Sequence, residues 1–275
     1  MIGARIGAGR EAEVYAWGDD AVVKLFRPGY EGHRTEAAAL AALDGHGIAP
    51  RLHDVVEHDG RTGLVLERLD GRDLLIRLQR HPAGVRGWAR TLAEAHRAVH
   101  AVAAPAGLPD LRPVLATRID RAALPPRLRA FAHQVLASLP DGDRLLHGDF
   151  HPGNVLVAED RVSVIDWVGA ARGVPEADHA RTLLLLRWSD LPPGTPAVVR
   201  ALLRLGRSLL AHEYARAYGR GSNRPSSPVD AWLTVHTAAR LAEGIEAERP
   251  RLIRALERAR LRAQQRAGAT GLSTG

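Results

Sequence analysis

The texture of the chain changes once, near residue 70, and this change limits the fold more than any other feature. Before it, short β-rich runs alternate with turn residues. "IGARIG", "AEVYAWG" and "AVVKLF" are broken by Gly and Asp, and "RLHDVVEHDG" and "RTGLVLERL" read as a hairpin with "DG" in its turn. One helix interrupts them, "EGHRTEAAALAALDGHG", rich in Ala and Leu and closed by Gly turns. After residue 70 the period becomes helical. Val85, Trp88, Leu92, Ala95, Val99 and Val102 recur at three- and four-residue steps and share one face. A Pro-rich loop over 103–116, a helix in "RLRAFAHQVLASL", two short strands in "NVLVAE" and "RVSVID", and helices over 175–266 follow. The helices are broken by "SDLPPGTP" and "YGRGSNRPSSP". The expectation is an α+β fold with a small β-rich lobe over 1–69 and a larger, mostly helical lobe over 70–267. A flexible tail is expected over 268–275.

Composition removes whole classes of chemistry. The 275 residues include no Cys, so disulfide scaffolds, thiolate metal sites and thiol nucleophiles are excluded. The first residues hold no apolar signal core, and no stretch approaches the roughly 20 apolar residues of a membrane span. The expected protein is soluble and cytoplasmic, with no membrane partner. A net charge of +7 raises the question of nucleic acid. The cations are dispersed, however, and aromatics make up only 4% of the chain, which is poor material for a base-stacking platform. Arg254, Arg258, Arg262 and Arg266 recur every fourth residue. They read first as a solvated helix face and second as a polyanion-binding one.

One lysine stands among 38 basic residues, and it is Lys24 in "AVVKLF". Arg replaces Lys freely on solvated surfaces but not where a compact ammonium must fit a tight site. Ahead of Lys24, Gly7 and Gly9 in "IGAGREAEVY" sit between two strands, with Val14 following. Glycines let backbone N–H groups approach phosphate oxygens. After Lys24 comes a helix with Glu36, a suitable carboxylate to hold a buried ammonium. Glu31 is the rival, but it lies at the helix start, where an N-terminal charge role suffices.

A second cluster lies in "HGDFHPGNVLV", residues 147–157. Pro152 and Gly153 make this a loop, so Asp149 and Asn154 can turn toward one site. Asp166 ends the next strand, which places two oxygen donors, Asn154 and Asp166, at adjacent strand ends. Such a pair suits Mg²⁺, which completes its shell with waters and phosphates. Asp149 remains to accept or orient a hydroxyl proton. His147 and His151 raise zinc as a minor alternative, but no third soft ligand is near. The preferred reading of His147 is a buried, hydrogen-bonded strut.

"HGDFHPGN" followed by "VIDW" closely resembles the motif of the aminoglycoside phosphotransferase and choline kinase superfamily, relatives of the protein kinases. The resemblance runs from the glycine loop to at least Asp178. It implies a bilobal protein-kinase-like fold that uses ATP or GTP with Mg²⁺ and phosphorylates a hydroxyl of a small molecule. It implies Asp149 as the catalytic residue, Asn154 and Asp166 as metal ligands, Lys24 as the nucleotide-phosphate lysine and Glu36 as its partner. Glu67 and Leu69, in "LERLDG", match the hinge that meets adenine, and Asp178 matches a residue supporting the catalytic region. The third loop glycine is replaced by Ala12, and "DWV" stands where kinases have D-F-G. A protein kinase and a silent nucleotide-binding pseudokinase are the alternatives. The absence of an A-P-E-like segment argues against the first, and the intact polar positions argue against the second.

The acceptor is less constrained. Asp190, Glu213, Asp230, Glu243 and Glu246 offer carboxylates for a polycationic aminoglycoside, diluted by surrounding Arg. Trp188, Tyr214, Tyr218 and Trp232 offer aromatic material for a choline-type cage, although a core role is the simpler expectation. Nothing in the sequence signals an oligomeric state.

Overall fold

Period-two alternation in the first seventy residues builds a five-stranded antiparallel sheet in a computed structural model, which describes residues 2–159, 161–188, 197–220 and 229–271. The strands are β1 (Ile2–Ala8), β2 (Ala12–Trp17), β3 (Ala21–Phe26), β4 (Leu52–His58) and β5 (Arg61–Glu67), in the order β1-β2-β3-β5-β4. In register, Val14 lies opposite Gly7 on one side and Lys24 on the other. Helix α1 (Gly32–Leu43) turns Glu36, Ala39, Leu40 and Leu43 inward.

The helical part opens with β6 (Arg72–Asp73) and α2 (Leu74–Arg80). Asp73 caps α2 by accepting from the Ile76 N–H at 2.8 Å, which satisfies one of the orphan donors of the first turn. Then come α3 (Val85–Ala101), α4 (Leu111–Arg121), α5 (Pro126–Ala137), β7 (Arg144–Leu146), β8 (Val155–Val157), β9 (Val162–Val164) and β10 (Ala171–Gly173). Helices α6 (Pro175–Trp188), α7 (Ala197–Gly219), α8 (Val229–Arg240) and α9 (Arg249–Gly271) complete the chain. Two small sheets, β6-β8-β9 and β7-β10, hold the loops between them. Helix α6 is buried on every side from Ala177 through Leu186, so it has no polar face and serves as the axis of this half. One apolar cluster joins the sheet to α3 and α7 through Phe26, Leu40, Leu64, Leu92, Val99 and Tyr214. A second fills the space among α4, α5, α6, α8 and α9, with Leu115, Ile119, Leu128, Trp232 and Leu256 fully buried.

Two expectations need correction. The Pro-rich loop over 103–116 stops at Asp110, because α4 starts at Leu111 and takes Pro113 into its first turn, where the missing N–H costs nothing. The expected tail over 268–275 is helical as far as Gly271, where α9 ends; residues 272–275 lie outside the described ones. The interruption "SDLPPGTP", with Asp190, also lies outside them, as does most of "YGRGSNRPSSP". Arg254, Arg258, Arg262 and Arg266 are all exposed on α9, as a solvated face requires. No helix among the described residues is long and apolar enough to cross a membrane.

Candidate active site

Lys24, in the middle of the sheet, points toward the helical half. Its Nζ donates to Glu36 Oε2 at 2.6 Å and to Asp166 Oδ1 at 2.8 Å. Burial works against the ammonium, but the carboxylates of Glu36 and Asp166 outweigh it and hold its pKa above the usual lysine value. Burial raises Glu36, with Lys24 opposing; its other oxygen accepts from the Trp167 N–H at 3.3 Å. Glu31 stays exposed before α1, beside Arg34, so Glu36 is the carboxylate the lysine meets. Asp166 has φ of +67°, a left-handed backbone that non-glycine residues seldom hold. The Ile165 N–H donates to the Asn154 carbonyl at 2.9 Å and Val155 pairs with Val164, so Asn154 and Asp166 stand at one end of the β8–β9 hairpin.

The loop carrying Asp149 is clamped from inside. His147 is fully buried: its Nε2–H donates to the Ile165 carbonyl at 3.0 Å and its Nδ1 accepts from the Asp149 N–H at 3.2 Å. Both ring nitrogens are thereby spent, as is His151 Nδ1, which accepts from the Gly153 N–H. The two histidines therefore form struts of the loop and not a metal pair. Gly148 has φ of +78°, and a Cβ there would fall 2.1 Å from the Gly169 carbonyl oxygen, so no other residue fits. Asn154 Nδ2 donates to the Asp149 carbonyl at 3.0 Å. Around the Asp149 carboxylate stand His151 Nε2 at 3.6 Å and Arg181 Nη2 at 3.7 Å. Burial alone would raise Asp149, but His151 and then Arg181 overcome it and the net direction is down.

Asp178 is the anchor beneath this loop. Its Oδ2 accepts from the His147 N–H at 2.6 Å, from His96 Nε2 at 3.1 Å and from His100 Nε2 at 3.3 Å, and its Oδ1 accepts from the Gly148 N–H at 3.0 Å. Tyr214 and Tyr218 donate their hydroxyls to Nδ1 of His96 and His100 at 2.6 and 2.7 Å. His179 Nδ1 completes the group at 3.1 Å from the Tyr214 oxygen. Burial would raise Asp178, but the bonds from His100 and His96 overrule it and hold its carboxyl well below the usual range. These three side chains have the makings of a metal site, yet every ligand atom already has a hydrogen-bond partner.

The buried imidazoles make stability acid-sensitive. Burial pushes His96, His179 and His236 down to about 3. The unfolded rings take up protons near pH 6.5 while the folded ones refuse them, so the stability they contribute is complete above pH 6.5 and falls as pH drops toward 3. Below pH 6.5 each such histidine costs about 1.4 kcal/mol per pH unit. The melting temperature is expected to decline steadily from pH 6.5 to pH 5. A flat profile across that range contradicts the assignment.

Gly7 lies near the end of β1 and Gly9 in the turn before β2, while Glu67 closes β5. A Cβ on Gly7 would meet nothing within 4 Å, and one on Gly9 only the Ala12 carbonyl at 3.6 Å, so the space above this backbone is open. Glu11, which sequence reasoning passed over, lies between this hairpin and the loops. Burial first and Asp166 second raise its pKa. At the hinge the Glu67 N–H is taken by the Arg51 carbonyl, and its carboxylate holds Arg161 at 2.5 Å. Leu69 follows at the crossing into the helical half.

A phosphotransferase enzyme family model matches residues 3–226. The chain belongs to that family. Within it, the chain is 41% identical over 159 residues to a hydroxyurea phosphotransferase of Kitasatospora aureofaciens, which is 53% of this chain and 44% of that protein. The match thus spans less than half of that relative's length. To a streptomycin 6-kinase of Streptomyces glaucescens it is 30% identical over 218 residues, or 74% of this chain and 67% of the relative. A crystal structure of a thermostable mutant of aminoglycoside phosphotransferase APH(4)-Ia, with AMP-PNP and hygromycin B, superposes with a TM-score of 0.63 at 16% identity, covering 98% of this chain and 95% of that one. At that identity the likeness shows the shared bilobal, kinase-like fold.

In this phosphotransferase-family chain the described acceptor candidates follow the simpler expectations, a core role for the aromatics and Arg pairing for the carboxylates. Tyr214, Tyr218 and Trp232 are buried in the core, the first two inside the histidine network, so no aromatic cage forms from them. Glu213 pairs with Arg86 and Arg216, and Glu243 with Arg181 and Arg240, so neither is free for a cation. Arg118, Arg181 and His236 were not legible in advance. They lie in separate helices, and only the fold brings them together.

Proposed function

We propose that this protein transfers the γ-phosphate of ATP or GTP to a hydroxyl of a small molecule with the help of Mg²⁺. The observation that carries the reading is the Lys24 ammonium suspended between Glu36 and Asp166, across from a rigidly clamped Asp149. The sheet lobe, residues 1–69, would take the nucleotide: the open backbone at Gly7 and Gly9 and the side chain of Val14 cover it, and the backbone at Glu67 and Leu69 meets its base. The helical lobe, residues 70–267, would take the acceptor. Asp149, kept ionised, accepts the hydroxyl proton as the acceptor oxygen bonds to the γ-phosphorus. The bond to the nucleoside diphosphate then breaks and the diphosphate leaves with the electron pair.

Asn154 and Asp166 fit a hard divalent cation. Asn154 commits its amide nitrogen to the Asp149 carbonyl, which leaves its oxygen as the donor atom. Asp166 already holds one cation, the Lys24 ammonium, at 2.8 Å. The metal would neutralise charge on the phosphates. A cytoplasmic location suits this use of nucleotide. The relatives named for hydroxyurea and streptomycin support a small-molecule acceptor. Nucleotide consumption with a panel of small alcohols tests the reading, and no acceptor-dependent turnover from any of them overturns it.

The lysine supplies a sharper check. Lys24→Arg keeps the charge but replaces a point ammonium by a planar fork that cannot sit 2.6 Å and 2.8 Å from two carboxylates in the same space. Transfer should fall at least about tenfold, or about 1.4 kcal/mol of transition-state stabilisation. Stabilisation by nucleotide should shrink as well. Wild-type turnover in Lys24→Arg contradicts the lysine's role.

A further inference from the structure

Beside the Asp149 loop lies a cavity of about 100 Å³, bounded by α1 at Thr35, by α4, by the backbone at Gly148 and Gly169, and by α8. A single water needs about 10–15 Å³, so the space accepts several water-sized groups, far fewer than an aminoglycoside would bring. Its position ties it to the transfer step. Gly148, next to Asp149, is part of its wall. Arg181, buried, lines it while donating from Nε to the Gly148 carbonyl at 3.3 Å and standing 3.7 Å from Asp149 Oδ1.

Its polar lining is of two kinds. Arg118 and Arg181 offer N–H donors. Arg118 is exposed to solvent and has the Arg181 guanidinium as a like charge nearby, which a ligand oxygen accepting from both would offset. His236 offers the opposite. It is 4% exposed, and its Nε2 is buried without a hydrogen-bond partner. A buried ring nitrogen left unpaired costs about 1–3 kcal/mol, and in the tautomer that leaves Nε2 without its proton a ligand N–H or O–H would recover it. No carboxylate lining the cavity is available to a cation. Asp178 borders it with both oxygens filled by four N–H groups, and Glu243, outside its wall, is spent on Arg181 at 2.8 Å and Arg240 at 2.9 Å.

We propose that this cavity is the acceptor subsite and takes a compact hydroxyl compound, uncharged or anionic, that brings an oxygen to Arg118 and Arg181 and an N–H or O–H to His236. The proposal rests on the phosphotransfer reading and adds the acceptor class to it. Polycationic acceptors are rejected for lack of an unpaired carboxylate and by size.

The test uses the full chain with Mg·ATP and three probes: hydroxyurea, which is uncharged; glycerate, which is anionic; and streptomycin, a polycation. Phosphorylated product and calorimetric binding of each probe are read separately. At least one compact probe is expected to exceed streptomycin tenfold or more in kcat/KM. Arg118→Leu and His236→Phe should each raise its KM at least tenfold, and Arg118→Lys should recover part of that loss. A preference for streptomycin overturns the acceptor class while leaving phosphotransfer intact. Binding of a compact probe without product supports the subsite and overturns the phosphotransfer reading instead. If neither compact probe binds, or if KM is unmoved in both variants, the proposal falls. If Arg118→Leu or His236→Phe fails to fold, Arg118→Lys and His236→Asn carry the same KM comparison.

Discussion

Asp149→Asn should transfer phosphate about 10²–10⁴-fold more slowly than the wild type while still binding nucleotide. The amide copies the carboxylate in shape, so the loop held by His147 and Asn154 should keep its form. What is lost is the basic oxygen that His151 and Arg181 keep ionised. Because Lys24, Asn154 and Asp166 are untouched, the loss should appear in single-turnover chemistry and not in nucleotide affinity. Turnover within threefold of wild type would remove Asp149 from the proton-accepting role.

Asp178→Ala should be the most destabilising substitution near the site. It strips the acceptor from four N–H groups at once, two of them on the loop backbone and two on buried imidazoles. Removing one partner of a buried charged network costs roughly 3–5 kcal/mol. For a chain of this size that is a fall in Tm on the order of 10 °C. Activity should go with it, because the loop would lose the grip that orients Asp149. Chemical denaturation of both proteins measures the effect, and a difference under 1 kcal/mol would mean that the network holds without its centre.

Residues close in sequence could be grouped in advance into one candidate site, and residues brought together by distant chain could not. Lys24 could be singled out because it is the lone lysine, and Asp149, Asn154 and Asp166 because they crowd eighteen residues around one hairpin. Glu36 could be preferred to Glu31 from its place inside a helix. The histidine network was invisible, since His96 and Tyr214 are 118 residues apart and each alone reads as an ordinary core residue. The cavity residues are scattered in the same way over α4, α6 and α8. The left-handed backbone at Asp166 leaves no trace in a one-letter code, because aspartate is common in extended strands' ends as well as in turns. Pro113 misled the reading of its segment, since a proline within the first helical turn looks the same in sequence as one in a loop.

Arg161 gives the cleft a strap. Standing just before β9, it holds Glu67 at the end of β5 through two charged hydrogen bonds and reaches the Ala49 carbonyl at 2.9 Å with the same guanidinium. Nearby, the Val164 N–H donates to the Ile48 carbonyl at 2.7 Å. Swinging the lobes apart about this point would break charge-assisted bonds worth about 1.5–3 kcal/mol each. Strand β1, at the edge of the sheet, is largely exposed, whereas β2 behind it is paired with β3 along its whole length. The sheet and the helical half are thereby pinned together beside the crossing between them, by a guanidinium that answers to both.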